Sequence, residues 1–410
     1  MATEHNDLAR VAAELAAAPQ DLGAWLAVCA ALADAGKKTE AARGFAQLGA
    51  AASDLGQVAL AVGCARWLEQ NRQSAAARKL SADIAAAHSR GSGRVDPAAR
   101  PAPPPRGSAR TPVAPPTAGS LAEAVKAAVA AMTAARAAAE ARVPERVPAT
   151  PLLHALLADD VTRLLSLMKL ERRPAGTVVV DVGQPASALY WIARGAASVT
   201  RAEHRLGELR SGALFGEIAL VGGTTRTARV VCDEDTWLLE IPSTAIEELA
   251  GKAPALAKVL AEYARARLLA NVMHTSVLFQ RLGDGERAEL LSRFVPRVLA
   301  AGERVITRGV ANDTLFVVVS GKLEVRGEGG LVAGLTAGDG AGEMSLLSGQ
   351  PAVADVVAAE PTAVLTLARA AFDVAASSHP GLLAEVYKLM REREQAGTDA
   401  LVVDAEELIV

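Results

Sequence analysis

The chain has 410 residues, 51% of them hydrophobic, with 43 Lys and Arg against 46 Asp and Glu for a net charge of −3. That length gives two or three domains with sizeable cores, and the near-neutral balance excludes a global basic field for nucleic acid. No apolar run reaches the roughly 18 residues needed to span a bilayer, and alanine supplies much of the hydrophobic fraction, so that fraction overstates the core.

Residues 1–90 read as a helical segment. Trp25, Val28, Leu32, Ala41 and Phe45, with Gly36 at a turn, resemble one tetratricopeptide-type helix pair, and a further pair fits around 58–68. A small alanine-rich bundle with Trp25 and Phe45 in its core accounts for the same residues. Either version points to protein contact more than to chemistry. Residues 91–119 hold Pro103-Pro104-Pro105 and Pro115-Pro116 among Gly, Ser, Ala and Arg, the composition of an extended, disordered linker. The N-terminal segment is therefore expected to be structurally independent of the domains beyond the linker. Ser120 with Glu123 makes a capping box, so an alanine-rich helix is expected over 120–143, ended by Pro144 and Pro148. Its apolar stripe is thin, and it reads as a solvated spacer.

A long repeat occupies the rest of the chain. Sliding the sequence by 126 residues (302 − 176) places Gly176, Gly183, Gly195, Gly212, Gly216 and Glu217 on Gly302, Gly309, Gly321, Gly338, Gly342 and Glu343. Two tandem copies are expected, at 150–273 and 274–395. In the first, residues 178–180, 189–192, 197–199 and 230–232 are short apolar or alternating runs punctuated by Gly and Pro. This is the pattern of a β sandwich or jelly roll. Leu156, Val161, Leu164, Leu165 and Met168 recur at helical spacing before it. One long helix is expected after it, over 243–273. Arg172-Arg173-Pro174-Ala175 resembles a kinase pseudosubstrate, but it opens the first strand and reads as a solvated strand edge.

Within this copy stands FGEIALVGGTTRTARV. Gly216-Glu217 forms a tight turn into a short helical segment whose exposed N–H groups can approach a phosphate. Arg226 brings a planar two-pronged donor for the same anion. Glu217 accepts from a hydroxyl. The set suits a small ligand with one phosphate and one free ribose hydroxyl.

The string closely resembles the phosphate-binding cassette of the cyclic-nucleotide-binding domain family, which includes catabolite activator proteins, cyclic-AMP-dependent kinase regulatory subunits and cyclic-nucleotide-gated channels. The resemblance implies an α+β chain of two tandem β jelly rolls with flanking helices, preceded by an all-α N-terminal segment. It implies that Phe215, Gly216, Glu217, Ile218, Ala219, Arg226, Thr227 and Ala228 bind a cyclic nucleotide, cyclic AMP ahead of cyclic GMP. Glu217 would take the ribose 2′-hydroxyl and Arg226 the cyclic phosphate, with backbone N–H groups from Gly216, Ile218 and Ala219. Thr227 leaves cyclic GMP open. The helix after the roll would move on binding.

The second copy reads AGEMSLLSGQPAVADV. Gly342 and Glu343 are kept, but Ala352 replaces Arg226, Val353 replaces Thr227 and Asp355 replaces Arg229. Without its cation this site is expected to be degenerate. The second roll ends near Phe372, followed by one helix over 382–393 and an acidic tail at 396–410, not by a DNA-binding helix pair. Cys29, Cys64 and Cys232 lack metal or redox spacing, as do the six scattered His residues, and the N-terminus has no apolar signal core. No enzyme motif is present. The expectation is a cytoplasmic, non-catalytic regulatory protein with no metal or cofactor, no nucleic-acid or membrane partner, and an unidentified protein partner. The alternative is a scaffold whose rolls and helical N-terminus bind proteins without nucleotide.

Overall fold

The computed structural model describes residues 2–97, 99, 120–201, 204–217, 225–275, 293–378, 384, 387, 388 and 391. Most of the proline-rich stretch, Ile218, Ala219, most of the expected helix at 382–393 and the acidic tail lie outside these residues.

Helices α1 (Ala2–Ala17), α2 (Leu22–Asp34), α3 (Lys38–Asp54), α4 (Val58–Gln70) and α5 (Ser74–His88) come first. Helix α2 starts where the Asp21 carboxylate accepts from Gly23 N (2.7 Å) and Ala24 N (3.2 Å), an N-cap that satisfies otherwise orphaned donors. Three successive helices stop the same way. Lys37 N, Gln57 N and Gln73 N each donate at 2.8 Å to the carbonyl five residues back, closing Schellman turns. The left-handed position is Gly36, Gly56 and then Arg72. Strand β1 (Val95–Asp96) pairs in parallel with β2 (Val147–Pro148), so the stretch read as linker begins with ordered backbone.

Helix α6 (Leu121–Glu140) starts as expected, Ser120 Oγ accepting from Glu123 N at 3.3 Å. It is not a solvated spacer. Ala124, Ala128, Ala131, Met132, Ala135 and Ala139 are buried, chiefly against α1. A stripe of methyl groups looks weak in hydropathy, yet its small size lets two helices approach closely. At Gly44 of α3 a Cβ would lie 2.7 Å from Met132 Sδ and 2.8 Å from Cys29 Sγ.

The first roll comes after α7 (Pro151–His154) and α8 (Ala158–Leu167). Its strands are β3 (Lys169–Arg173), β4 (Val178–Val180), β5 (Ala188–Arg194), β6 (Ala196–Arg201), β7 (His204–Arg210), β8 (Leu214–Phe215), β9 (Arg229–Cys232) and β10 (Thr236–Pro242). They form two antiparallel sheets, ordered β3-β10-β5-β8 and β4-β9-β6-β7. Val180, Ile192, Ala197, Leu209, Phe215, Val230 and Leu238 fill the space between them. Arg172 lies on edge strand β3 and pairs with Asp235 at 2.9 Å, a strand edge as read. The single helix expected next is two, α9 (Ser243–Lys252) and α10 (Pro254–Thr275). Pro254 cannot donate back into a continuing helix, so the chain breaks there.

The second roll repeats the order. Strands β11 (Val295–Leu299), β12 (Arg304–Ile306), β13 (Thr314–Ser320), β14 (Leu323–Gly327), β15 (Gly330–Leu335), β16 (Gly340–Ala341), β17 (Asp355–Ala358) and β18 (Thr362–Ala368) accompany α11 (Glu343–Ser348) and α12 (Arg369–Ser378). The sheets are β11-β18-β13-β16 and β12-β17-β14-β15. Among the described residues no helix is long and apolar enough to cross a membrane.

The N-terminal helices are not independent of the first roll. Leu189, Trp191 and Ala193 on β5, with Leu239 and Ile241 on β10, share one buried core with α1–α6. Phe45 stacks on Trp67, ring centroids 3.8 Å apart, and lies 5.9 Å from the ring of Trp237 on β10. Gln70 Nε2 donates to Leu170 O at 2.9 Å, and Arg194 Nη1 donates to Gly23 O. A Cβ on Gly63 of α4 would stand 3.1 Å from Ala193 Cβ. The proline-rich composition describes the tether only; the surfaces on either side of it are complementary.

Deleting residues 1–90 should therefore strip the outer face of β5 and β10. Burying each large apolar side chain contributes about 1.5–3 kcal/mol, so the shortened chain should aggregate or melt at least about 10 °C lower. Calorimetry on both forms checks this; equal melting would mean the helices are merely tethered.

Candidate functional site

Gly216 is closely constrained. Its φ is +91°, and a Cβ there would lie 2.6 Å from Arg226 Nη1 and 3.3 Å from Ala188 O, so only glycine fits. It follows β8 directly, and Glu217 takes up helical backbone after it. Arg226 sits opposite, just before β9. Its backbone is fixed by the loop after β4: Gly183 N donates to Arg226 O at 2.9 Å, and Arg226 N to Gln184 O at 2.8 Å.

The side chains then converge. Arg226 is 3% exposed and Glu217 2%. Arg226 Nη1 donates to Gly216 O at 2.9 Å and Nη2 to Ala188 O at 2.6 Å. Its guanidinium lies 5.7 Å from the centroid of the Tyr190 ring, within cation–π range. Tyr190 in turn stacks on Phe215, with centroids 5.2 Å apart. Burial lowers the Arg226 pKa below its ordinary value, while Tyr190 and Glu217 oppose that shift. Burial also pushes the Tyr190 phenol up; Glu240 adds to this and Arg226 opposes it.

Phe215, Gly216, Glu217, Arg226, Thr227 and Ala228 line one cleft, open to solvent. Val180, Val199, Val230 and the β7 segment 206–209 supply the rest of its wall. The cleft thus joins a buried cation and a buried carboxylate to an apolar wall, which suits a small anion carrying an apolar body. Arg226 Nε is buried without a hydrogen-bond partner among the described residues. Six of the eight residues expected at the site are brought together; Ile218 and Ala219 lie outside the described residues. Sequence reasoning missed Tyr190 as the floor under Arg226 and the Ala188 carbonyl as its clamp. The first is signalled by an aromatic at an inward position of β5; a backbone acceptor has no signal in side-chain identity. Among the described residues no group of three or more His, Cys, Asp or Glu could hold a metal.

The second roll keeps the backbone circuit and changes the chemistry. Gly309 N donates to Ala352 O at 2.8 Å and Ala352 N to Val310 O at 2.9 Å, matching the pair that fixes Arg226. Gly342 again has φ +90°. Ala352, however, is buried in the core between the sheets. The donors come from elsewhere: Asn312 Nδ2 donates to Thr314 O at 2.7 Å and to Gly342 O at 3.4 Å. Thr314 and Gly342 are the counterparts of Ala188 and Gly216. A neutral amide has taken over the two carbonyls that the guanidinium holds in the first roll. Asp355 is also committed, accepting from Arg308 N at 2.9 Å and facing Arg304 Nη1 at 3.5 Å.

Replacing Asn312 should be felt in stability. Asn312→Ala leaves the Thr314 carbonyl without its donor and should cost about 1–3 kcal/mol. Asn312→Asp should cost more, since it turns a carboxylate oxygen onto two acceptors. Urea unfolding measures both; indifference to both would mean the amide holds nothing.

Residues 170–252 and 296–379 each match the profile of the family described as "Cyclic nucleotide-binding domain". The chain is 27% identical over 227 residues to the cGMP-dependent protein kinase egl-4 of Caenorhabditis elegans, covering 54% of this chain and 28% of that protein. It is 27% identical over 213 residues to the cAMP-dependent protein kinase regulatory subunit of Yarrowia lipolytica, covering 51% of this chain and 54% of that one. Among solved structures, the catabolite activator protein of Thermus thermophilus is 29% identical over 31% of this chain and 62% of that one, with a TM-score of 0.29. The chain thus spans only about half, or less, of the length of these two curated relatives.

Proposed function

From two rolls that both belong to the cyclic nucleotide-binding domain family, we propose a non-catalytic regulatory protein in which the first roll alone senses a cyclic nucleotide. The observation that carries this is Arg226: a guanidinium 3% exposed, opening on a cleft it shares with Glu217, with an Nε–H that lacks an acceptor among the described residues. A buried cation is costly unless paired and fully bonded. A cyclic phosphate supplies an anion and an acceptor in one group, and Glu217 accepts from the ribose 2′-hydroxyl. Gly216 offers an N–H to the same phosphate. The wall of Val180, Val199, Leu206, Leu209 and Val230 favours the base with fewer polar edges, which puts cyclic AMP ahead of cyclic GMP, with Thr227 the hydroxyl able to serve the latter.

The second roll serves as a partner of the first and not as a second sensor. Its acceptors are already taken by Asn312, and Ala352 brings no charge. Binding in the first roll shifts a population by its differential affinity for two packings, and α9 and α10 are the elements that connect the rolls. The output is contact with a protein partner in the cytoplasm. A scaffold reading is favoured only for the second roll, by that same amide.

Calorimetric titration of the full chain with cyclic AMP and cyclic GMP tests this. Stoichiometry should be near one. Arg226→Lys keeps the charge but loses the planar fork, and should weaken binding at least about tenfold, since a charge-assisted contact is worth roughly 1.5–3 kcal/mol. Two equal sites, or unchanged affinity in the Lys variant, would defeat the assignment.

A further inference from the structure

One contact between the rolls belongs to neither cleft. Val199 on β6 lines the first cleft. Two residues on, past an irregularity in the β6–β7 pairing between Val199 and Thr200, Arg201 ends β6. Its Nη1 donates to the carbonyl of Val319, on β13 of the second roll, at 3.0 Å. Burial lowers the Arg201 pKa and the nearby Asp339 opposes that shift. Asp339 is itself built into the second roll: its carboxylate accepts from Thr336 N at 2.7 Å, and its carbonyl from Val318 N at 2.8 Å. The turn holding Asp339 runs straight into β16 and Gly342-Glu343. On the other side, β6 pairs with β7, whose residues 206–209 form the cleft wall. Helix α10 touches both β7 and β13.

Two comparisons within the chain mark this contact as more than incidental. The counterpart of Arg201 in the second roll is Gly327, so the fold does not require an arginine there. The counterpart of Val319 in the first roll is Ala193, the position covered by Gly63 of α4. Each roll is therefore met at the same strand position by the part of the chain that precedes it.

We propose that Arg201 is an inter-roll clasp that couples occupancy of the first cleft to the second roll's β13 and its turn at 336–339. The inference rests on the nucleotide reading of the first cleft. A guanidinium bonded to a carbonyl is directional, so a displacement of the β6–β7 wall by ligand must shift or break the bond to Val319. Reciprocity then requires that the clasp also act on ligand affinity.

The test uses the full chain and saturating cyclic AMP. In the wild type, hydrogen exchange at 317–320 and 336–340 should change when nucleotide is added. Arg201→Met keeps the apolar stem and removes the donors. It should abolish that response and alter nucleotide affinity by at least about fivefold, the lower end of coupling between sites. Arg201→Lys should restore part of both. If the wild type binds nucleotide and the Met variant matches it in affinity and in second-roll exchange, the clasp is overturned and the cleft assignment stands. If the wild type binds no cyclic nucleotide, the cleft assignment falls and the coupling with it.

Discussion

Strand β5 is buried on both faces, and most of the molecule is organised by that fact. Tyr190 and Ile192 point into the roll, where Tyr190 floors Arg226 and Ile192 joins the core between the sheets. Leu189, Trp191 and Ala193 point outward into the core shared with the N-terminal helices. The carbonyl at the start of the same strand, Ala188 O, clamps the guanidinium. A strand in this position cannot shift register without exchanging its two apolar sets. The site is thereby fixed from behind by the helical bundle, and anything that moves β5 is felt on both sides.

The two rolls keep one architecture around different side-chain chemistry. The turn at glycine, the backbone pair across the loop and the two facing carbonyls survive in the second copy. What has changed is the source of the donors, from a cation reaching in from the strand side to an amide reaching from the opposite loop. That swap puts a neutral donor where the first roll has a charged one. A buried cation is costly unless paired and fully bonded; a neutral amide needs only acceptors.

Much of this was legible in the sequence because the repeat is ungapped and its landmarks are glycines with positive φ, which tolerate little replacement. Gly216 and Glu217 were readable for that reason, and Arg226 from its place in the string that follows them. The strands at 178–180, 189–192, 197–199 and 230–232 were readable from their apolar runs, whereas β3, with Lys169, Glu171, Arg172 and Arg173 on an edge, carries no such mark. Packing between distant segments was not legible. The alanines of α6 look too weak for a core, yet they work because the partner helix comes close. The docking of α4 on β5 depends on Gly63 being small, which sequence records only as an absence. Pro254 announced a break that hydrophobic periodicity overrode. Asn312 lies outside the cassette string, and only three-dimensional proximity to Gly342 gives it meaning.

The parallel pair of β1 with β2 places Val95 beside Val147. The chain thus leaves the helical bundle and re-enters near the first roll through a single gate, and all between, α6 included, is topologically an insertion. The cost of closing such an excursion grows only with the logarithm of its length. Helix α6 returns from within that excursion to pack on α1, so the bundle is completed only by chain that lies beyond the gate.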